Sequence, residues 1–187
     1  MCGIVGYIGA RESREVLMDG LSRLEYRGYD SAGVALFQPD GIAVYKSQGR
    51  LARLAEKLAA IQPPPTTVGI GHTRWATHGA PSDINSHPHS SARVSLVHNG
   101  IIENYSKLKE FLKLQGYDFI SQTDSEVLVK LLDFHYQGDP VQAIINTLAQ
   151  VQGSYGLAIL FADQPDHIYA ARKESPLIVG YGEGEFF

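Results

Sequence analysis

Cysteine is all but absent from this chain of 187 residues: it has one, Cys2. A single thiol excludes an internal disulfide and any multi-cysteine zinc site. Positive charge is not in surplus either. Sixteen Lys and Arg stand against 20 Asp and Glu, a formal net charge of -4, so the chain has no excess of cations with which to neutralise phosphates and nucleic acid is not an expected partner. No uninterrupted apolar run approaches membrane-spanning length, so no membrane partner is expected. The N-terminus Met1-Cys2-Gly3-Ile4-Val5-Gly6 has no basic n-region and no long apolar h-region, which excludes a signal peptide and leaves a cytoplasmic protein as the expectation. Repeats are missing, and low complexity is limited to Pro63-Pro64-Pro65.

What is there has the balance of a globular domain, with 44% apolar and 19% charged residues. The length suits one sizeable domain, taken as residues 1–187. Ile4 to Ile8 reads as a buried strand, and Val16, Leu17, Leu21 and Leu24 recur at helical spacing. Ala32 to Phe37 and Ile42 to Ser47 flank the turn residues Gln38-Pro39-Asp40-Gly41 as a hairpin. A helix is predicted from about Leu51 to Ile61, stopped by the prolines. Val68 to Gly71 is a predicted strand leading into a long loop, His72 to Ser91, of the kind that is usually functional. Val94 to Val97 should be a strand that ends at His98-Asn99-Gly100. Tyr105, Leu108, Phe111 and Leu112 give a helix that Gly116 stops, Thr123 to Glu126 has capping-box spacing for the next, and Asp139-Pro140 starts a third. Gly156 to Phe161, His167 to Ala171 and Leu177 to Tyr181 read as strands. Strict strand–helix alternation is missing, so the expected architecture is α+β, with mainly antiparallel sheets packed on each other and helices outside.

Chemistry gathers at a few positions. Removal of Met1 would give Cys2 a free α-amine, which titrates near ~8 and can exchange protons close to neutrality. Nucleophile and base would then share one residue; the plainer alternative is a small core residue at a strand start. Asn99-Gly100 offers a carboxamide donor and a backbone N–H, the parts of an oxyanion hole, although Asn-Gly is equally a hairpin turn. Arg74 could fork onto a carboxylate or simply stack on Trp75 at the surface. Asp124 at a helix start could bind a cation or only complement the helix dipole. Histidines 72, 78, 87, 89 and 98 lack a chelating pattern, so no metal and no cofactor is expected.

Six stretches in order, Cys2 to Gly6, Leu24 to Gly33, His72 to Gly79, Asn85 to His89, His98 to Asn104 and Thr123 to Glu126, closely resemble the glutaminase domains of the glutamine–fructose-6-phosphate aminotransferase (glucosamine-6-phosphate synthase) family over essentially the full length. The resemblance implies the four-layer αββα fold of the N-terminal nucleophile hydrolases, in their class II glutamine amidotransferase branch. It implies attack by Cys2 on the side-chain amide of L-glutamine, a γ-glutamyl thioester, and an oxyanion held by Asn99 and Gly100. Arg74 would grip the α-carboxylate and Asp124 the α-ammonium group; Thr77 and His78 would line the pocket, Trp75 would gate ammonia, and Arg27 and His87 would support the site. Members of the family continue into a sugar-phosphate isomerase region, expected to be absent from this chain, and the full-length enzyme is expected to be a homodimer. Alone, the domain should be a glutaminase without synthase activity, and inert if Met1 stays on. The glutaminase part of another amidotransferase, or a glutamine sensor that keeps the fold, remain open alternatives.

Overall fold

A computed structural model of the chain describes residues 2–75 and 79–187. Two antiparallel sheets lie face to face. The first contains β1 (Gly3–Ile8), β2 (Ser31–Gln38), β3 (Gly41–Gln48), β4 (Val68–Arg74) and the short β9 (Tyr181–Gly182) and β10 (Glu185–Phe186), in the order β3-β2-β4-β1-β10-β9. The second contains β5 (His89–Ser90), β6 (Val94–Ile102), β7 (Gly153–Phe161) and β8 (Tyr169–Lys173), in the order β5-β6-β7-β8. Helices α1 (Ser13–Leu24) and α2 (Leu51–Ile61) cover the first sheet, while α3 (Tyr105–Leu114), α4 (Ser125–His135) and α5 (Pro140–Leu148) cover the second.

Side-chain alternation along the strands builds the layers. Val34 and Leu36 turn toward Leu17, Leu21 and Leu54 of the helices, while Ala35 between them meets Ile70, Val97 and Leu160 in the inter-sheet core. On β6, Leu96 joins the helix-facing core with Leu128 and Leu131, and Val97 faces the other sheet. This is the expected four-layer αββα arrangement of the N-terminal nucleophile hydrolase type. Among the described residues no helix is long and apolar enough to cross a membrane.

Four local expectations change. The predicted loop from His72 begins later, because His72, Thr73 and Arg74 continue β4, with Thr73 paired to both Gly3 and Ala32. The strand predicted to end at Val97 runs on to Ile102, and Asn99 and Gly100 pair with Gly156 and Tyr155, which removes the hairpin-turn reading. The capping box at α4 does not close. Glu126 accepts instead from the Ile120 and Ser121 amides at 3.1 and 2.7 Å, and Thr123 Oγ1 is bonded to Ser121 and to His89 Nε2. Of the segment Leu177 to Tyr181 only Tyr181 is in a strand, where it begins β9; β9 and β10 form a small hairpin that pairs with β1 through Ile8 and Phe186. Asp139 caps α5 as expected, its carboxylate accepting from the Gln142 amide at 3.0 Å.

Candidate active site

The register of β1 against β4 decides where the chemistry sits. Gly3 lies opposite Thr73, so Cys2 lies at the end of β4 beside Arg74 and Trp75. β6 of the other sheet brings Asn99 to the same place: its Nδ2 donates to the Cys2 carbonyl at 3.3 Å. A cavity of about 520 Å³ opens here, lined by Cys2, Arg27, Arg74, Trp75, His87, Asn99, Gly100 and Asp124 among others.

The Cys2 sulfur accepts the Trp75 backbone N–H at 3.2 Å, and the Trp75 carbonyl lies 3.6 Å from it. Burial pushes the thiol above its ordinary range, and the Trp75 N–H pulls in the opposite direction by favouring the thiolate. The Trp75 ring is half exposed and meets Tyr29 edge-on, with centroids 5.4 Å apart. The main chain of Trp75 therefore contacts the Cys2 sulfur while the residue also lines the cavity.

The carboxamide of Asn99 is oriented from behind. His72 Nε2 lies 3.0 Å from Asn99 Oδ1 and 3.2 Å from the His98 carbonyl. Both partners are acceptors, so the proton is on Nε2 and the Asn99 NH2 is turned toward Cys2. Burial drives His72 down to about 3, and it is neutral at working pH. Gly100 has φ +140, and a Cβ there would collide with the Ser154 carbonyl, so the strand can pass this point only as glycine.

Arg74 and Asp124 are 4% and 5% exposed, which removes the surface-stacking reading of the arginine. Arg74 Nη2 donates to the Gly79 carbonyl at 3.0 Å. Asp124 Oδ2 accepts the Ile102 amide at 2.8 Å, and the Ser125 hydroxyl donates to Oδ1 at 3.4 Å. Arg27 reaches the cavity from a 3-10 turn, Glu25–Arg27. His87 stacks on His72 at 4.2 Å and meets His89 edge-on at 4.7 Å. Burial pushes both His87 and His89 well below the usual imidazole range. Thr77 and His78 lie outside the described residues. Among the described residues no group of His, Cys, Asp and Glu is arranged to hold a metal ion.

The sequence reading missed several lining or supporting groups: His72 as the residue orienting Asn99, the Trp75 backbone as donor to the sulfur, and Ser175 to Ile178 as a cavity wall.

Two stacked antiparallel sheets with helices on both outer faces, and a cavity at the head of the first strand, define the class: the fold of the N-terminal nucleophile hydrolases. Residues 72–187 match the sequence model of the glutamine amidotransferase domain, and the chain belongs to that family. Over its whole length it is 56% identical to a glutamine–fructose-6-phosphate aminotransferase (isomerizing) of Caldanaerobacter subterraneus and 53% identical to one from Clostridium tetani, spanning 31% of each. The chain thus covers about a third of the curated relatives it matches. Among solved structures it resembles glutamine phosphoribosylpyrophosphate amidotransferase of B. subtilis, with a TM-score of 0.84, 25% identity, all of this chain and 41% of that one covered.

Proposed function

We propose that the chain is a single domain, residues 1–187, that hydrolyses the side-chain amide of L-glutamine to glutamate and ammonia through a thioester on Cys2. The observation that carries the reading is the convergence, in one cavity, of the Cys2 sulfur, the oriented Asn99 carboxamide, and the buried charges of Arg74 and Asp124. A buried guanidinium and a buried carboxylate lining one cavity complement the two ends of a zwitterion.

In this mechanism the α-amine freed by loss of Met1 takes the thiol proton as sulfur attacks the amide carbon. A thiol raised by burial needs such a base, because little thiolate forms unaided at neutral pH. Asn99 Nδ2 and the Gly100 N–H receive the charge that develops on oxygen. Collapse returns the proton to nitrogen and releases ammonia. Water then attacks the thioester, giving glutamate and the free thiol. Arg74 holds the α-carboxylate, Asp124 the α-ammonium group, Thr77 and His78 are proposed to line the pocket, Trp75 gates ammonia, and Arg27 and His87 support the site.

The names and lengths of the relatives support a larger assignment. In a full-length protein the ammonia would serve glucosamine 6-phosphate synthesis from fructose 6-phosphate, in a homodimer whose C-terminal isomerase domain follows this one. A biosynthetic role of that kind is consistent with the cytoplasm. The test is acid-quench mass spectrometry of protein beginning at Cys2 during turnover of glutamine. One γ-glutamyl group on the Cys2 peptide is expected; glutamate release with no adduct at Cys2 under any quench condition, and no hydroxamate on adding hydroxylamine, would refute the thioester.

A further inference from the structure

Asn85 does not line the cavity, yet it is 5% exposed and its carboxamide is committed to two separate stretches of the chain. Nδ2 donates to the Ala80 carbonyl at 2.9 Å and to Gln122 Oε1 at 3.3 Å, while Oδ1 accepts the Gln122 amide at 2.9 Å. Gly79, at φ +76, packs directly on this group: a Cβ there would lie 2.8 Å from Asn85 Nδ2 and 3.0 Å from Gln122 Cβ. The Gly79 carbonyl in turn accepts from Arg74 Nη2. On the other side Gln122 precedes Asp124 by two residues. One carboxamide therefore ties the backbone that anchors Arg74 to the backbone that carries Asp124.

Asn85 is itself held from outside the site. Lys46 Nζ on β3 donates to the Ser86 carbonyl at 2.9 Å and to the Ile84 carbonyl at 3.4 Å, and Asp83 Oδ1 accepts the Gln48 amide at 2.7 Å. The link is thus fastened to the first sheet while it reaches toward the helix layer of the second. We infer that Asn85 is a positioning residue that sets the separation of Arg74 and Asp124, and so the recognition of the α-amino-acid end of the substrate, without touching the reacting amide. This rests on the roles proposed above for those two residues.

The separation acts on binding and leaves the sulfur alone. Asn85→Ala in protein beginning at Cys2 is expected to raise KM for glutamine by about ten- to a hundredfold while kcat changes by less than about threefold, the pattern of a displaced binding group. Alkylation of Cys2 by iodoacetamide, which needs no amino-acid recognition, should proceed at the parent rate, but protection by L-glutamate should require about tenfold or more higher concentration. Asn85→Asp keeps the acceptor for the Gln122 amide and loses the donor to Ala80; it should fall between, and it carries the test if Asn85→Ala does not fold. A folded variant with parental KM and parental glutamate protection overturns the inference. So does a variant whose bare alkylation rate falls in step with its KM change, since the whole cavity would then have shifted. A parent protein with neither turnover nor glutamate protection would instead overturn the roles of Arg74 and Asp124, and the inference with them.

Discussion

Acidification from pH 7.5 to pH 5.5 is expected to cost the domain at least about 4 kcal/mol of stability, the share of three neighbouring histidines buried without charge. His72, His87 and His89 are each 5% exposed or less, and burial holds all three far below their ordinary range. His72 Nδ1 and His87 Nδ1 have no hydrogen-bond partner among the described residues, so a proton added there would be a buried charge with no acceptor. In the unfolded chain the same imidazoles take up protons near pH ~6.5. The unfolded state therefore binds more protons below that pH, and stability is present above it and lost as pH falls. At pH 5.5 each histidine contributes about 1.4 kcal/mol to the loss, and three together about 4 kcal/mol, against a typical total of about 5–15 kcal/mol. Burial also holds His98 and His135 below the ordinary imidazole range, and they add to the loss in the same direction. Two further perturbed groups fall mainly outside this window. Lys46, held down at about 8 by burial, does most of its titrating above it. Burial would raise Asp133, but hydrogen bonds from Arg93, Ser91 and Tyr117 bring it below the usual carboxylate range. Urea denaturation at the two pH values measures the difference directly, and His87→Asn should remove about 1.4 kcal/mol of it. A change below about 1 kcal/mol in the parent would show that these histidines are charged in the folded state, and the neutral His72 on which the orientation of Asn99 depends would be lost.

Two further outcomes follow from the same geometry. Asn99→Ala should slow glutamate release by about a hundredfold or more at saturating glutamine, as for a lost oxyanion donor; unchanged kcat would remove Asn99 from the mechanism. In protein that retains Met1, iodoacetamide alkylation of Cys2 should climb through pH ~8.5 and beyond without levelling at neutrality, because burial raises the thiol; a rate already flat at pH 7 would show a thiolate formed without the α-amine.

Much of this was legible in the chain itself. The turn residues after Phe37 marked the β2–β3 hairpin and the helical spacing of Leu17, Leu21 and Leu24 marked α1, and Leu36 and Leu21 meet in one core. Cys2, Arg74, Asn99 and Asp124 stood out because their residue types fit one chemistry, and the structure brings all four to one cavity. The end of β4 was harder. His72, Thr73 and Arg74 are polar and read as loop, yet they are buried because β4 runs on between its neighbouring strands into the site, where Arg74 lines the cavity. His72 as the orienter of Asn99 was not readable, since their contact depends on how two sheets stack and not on local sequence. The Trp75 N–H was invisible for another reason: a side chain's identity says nothing about where its backbone donor points. At α4 the right start came from the wrong hydrogen bond, because Glu126 finds better-placed amides at Ile120 and Ser121 than at Thr123.

The central claim is that the terminal sulfur and its own amine perform the chemistry together. The most direct measurement is glutamate release from glutamine by protein verified by mass spectrometry to begin at Cys2, beside the same protein retaining Met1 and beside Cys2→Ala. Turnover is expected only in the first. Equal turnover in Cys2→Ala, or full activity with Met1 in place, would contradict it.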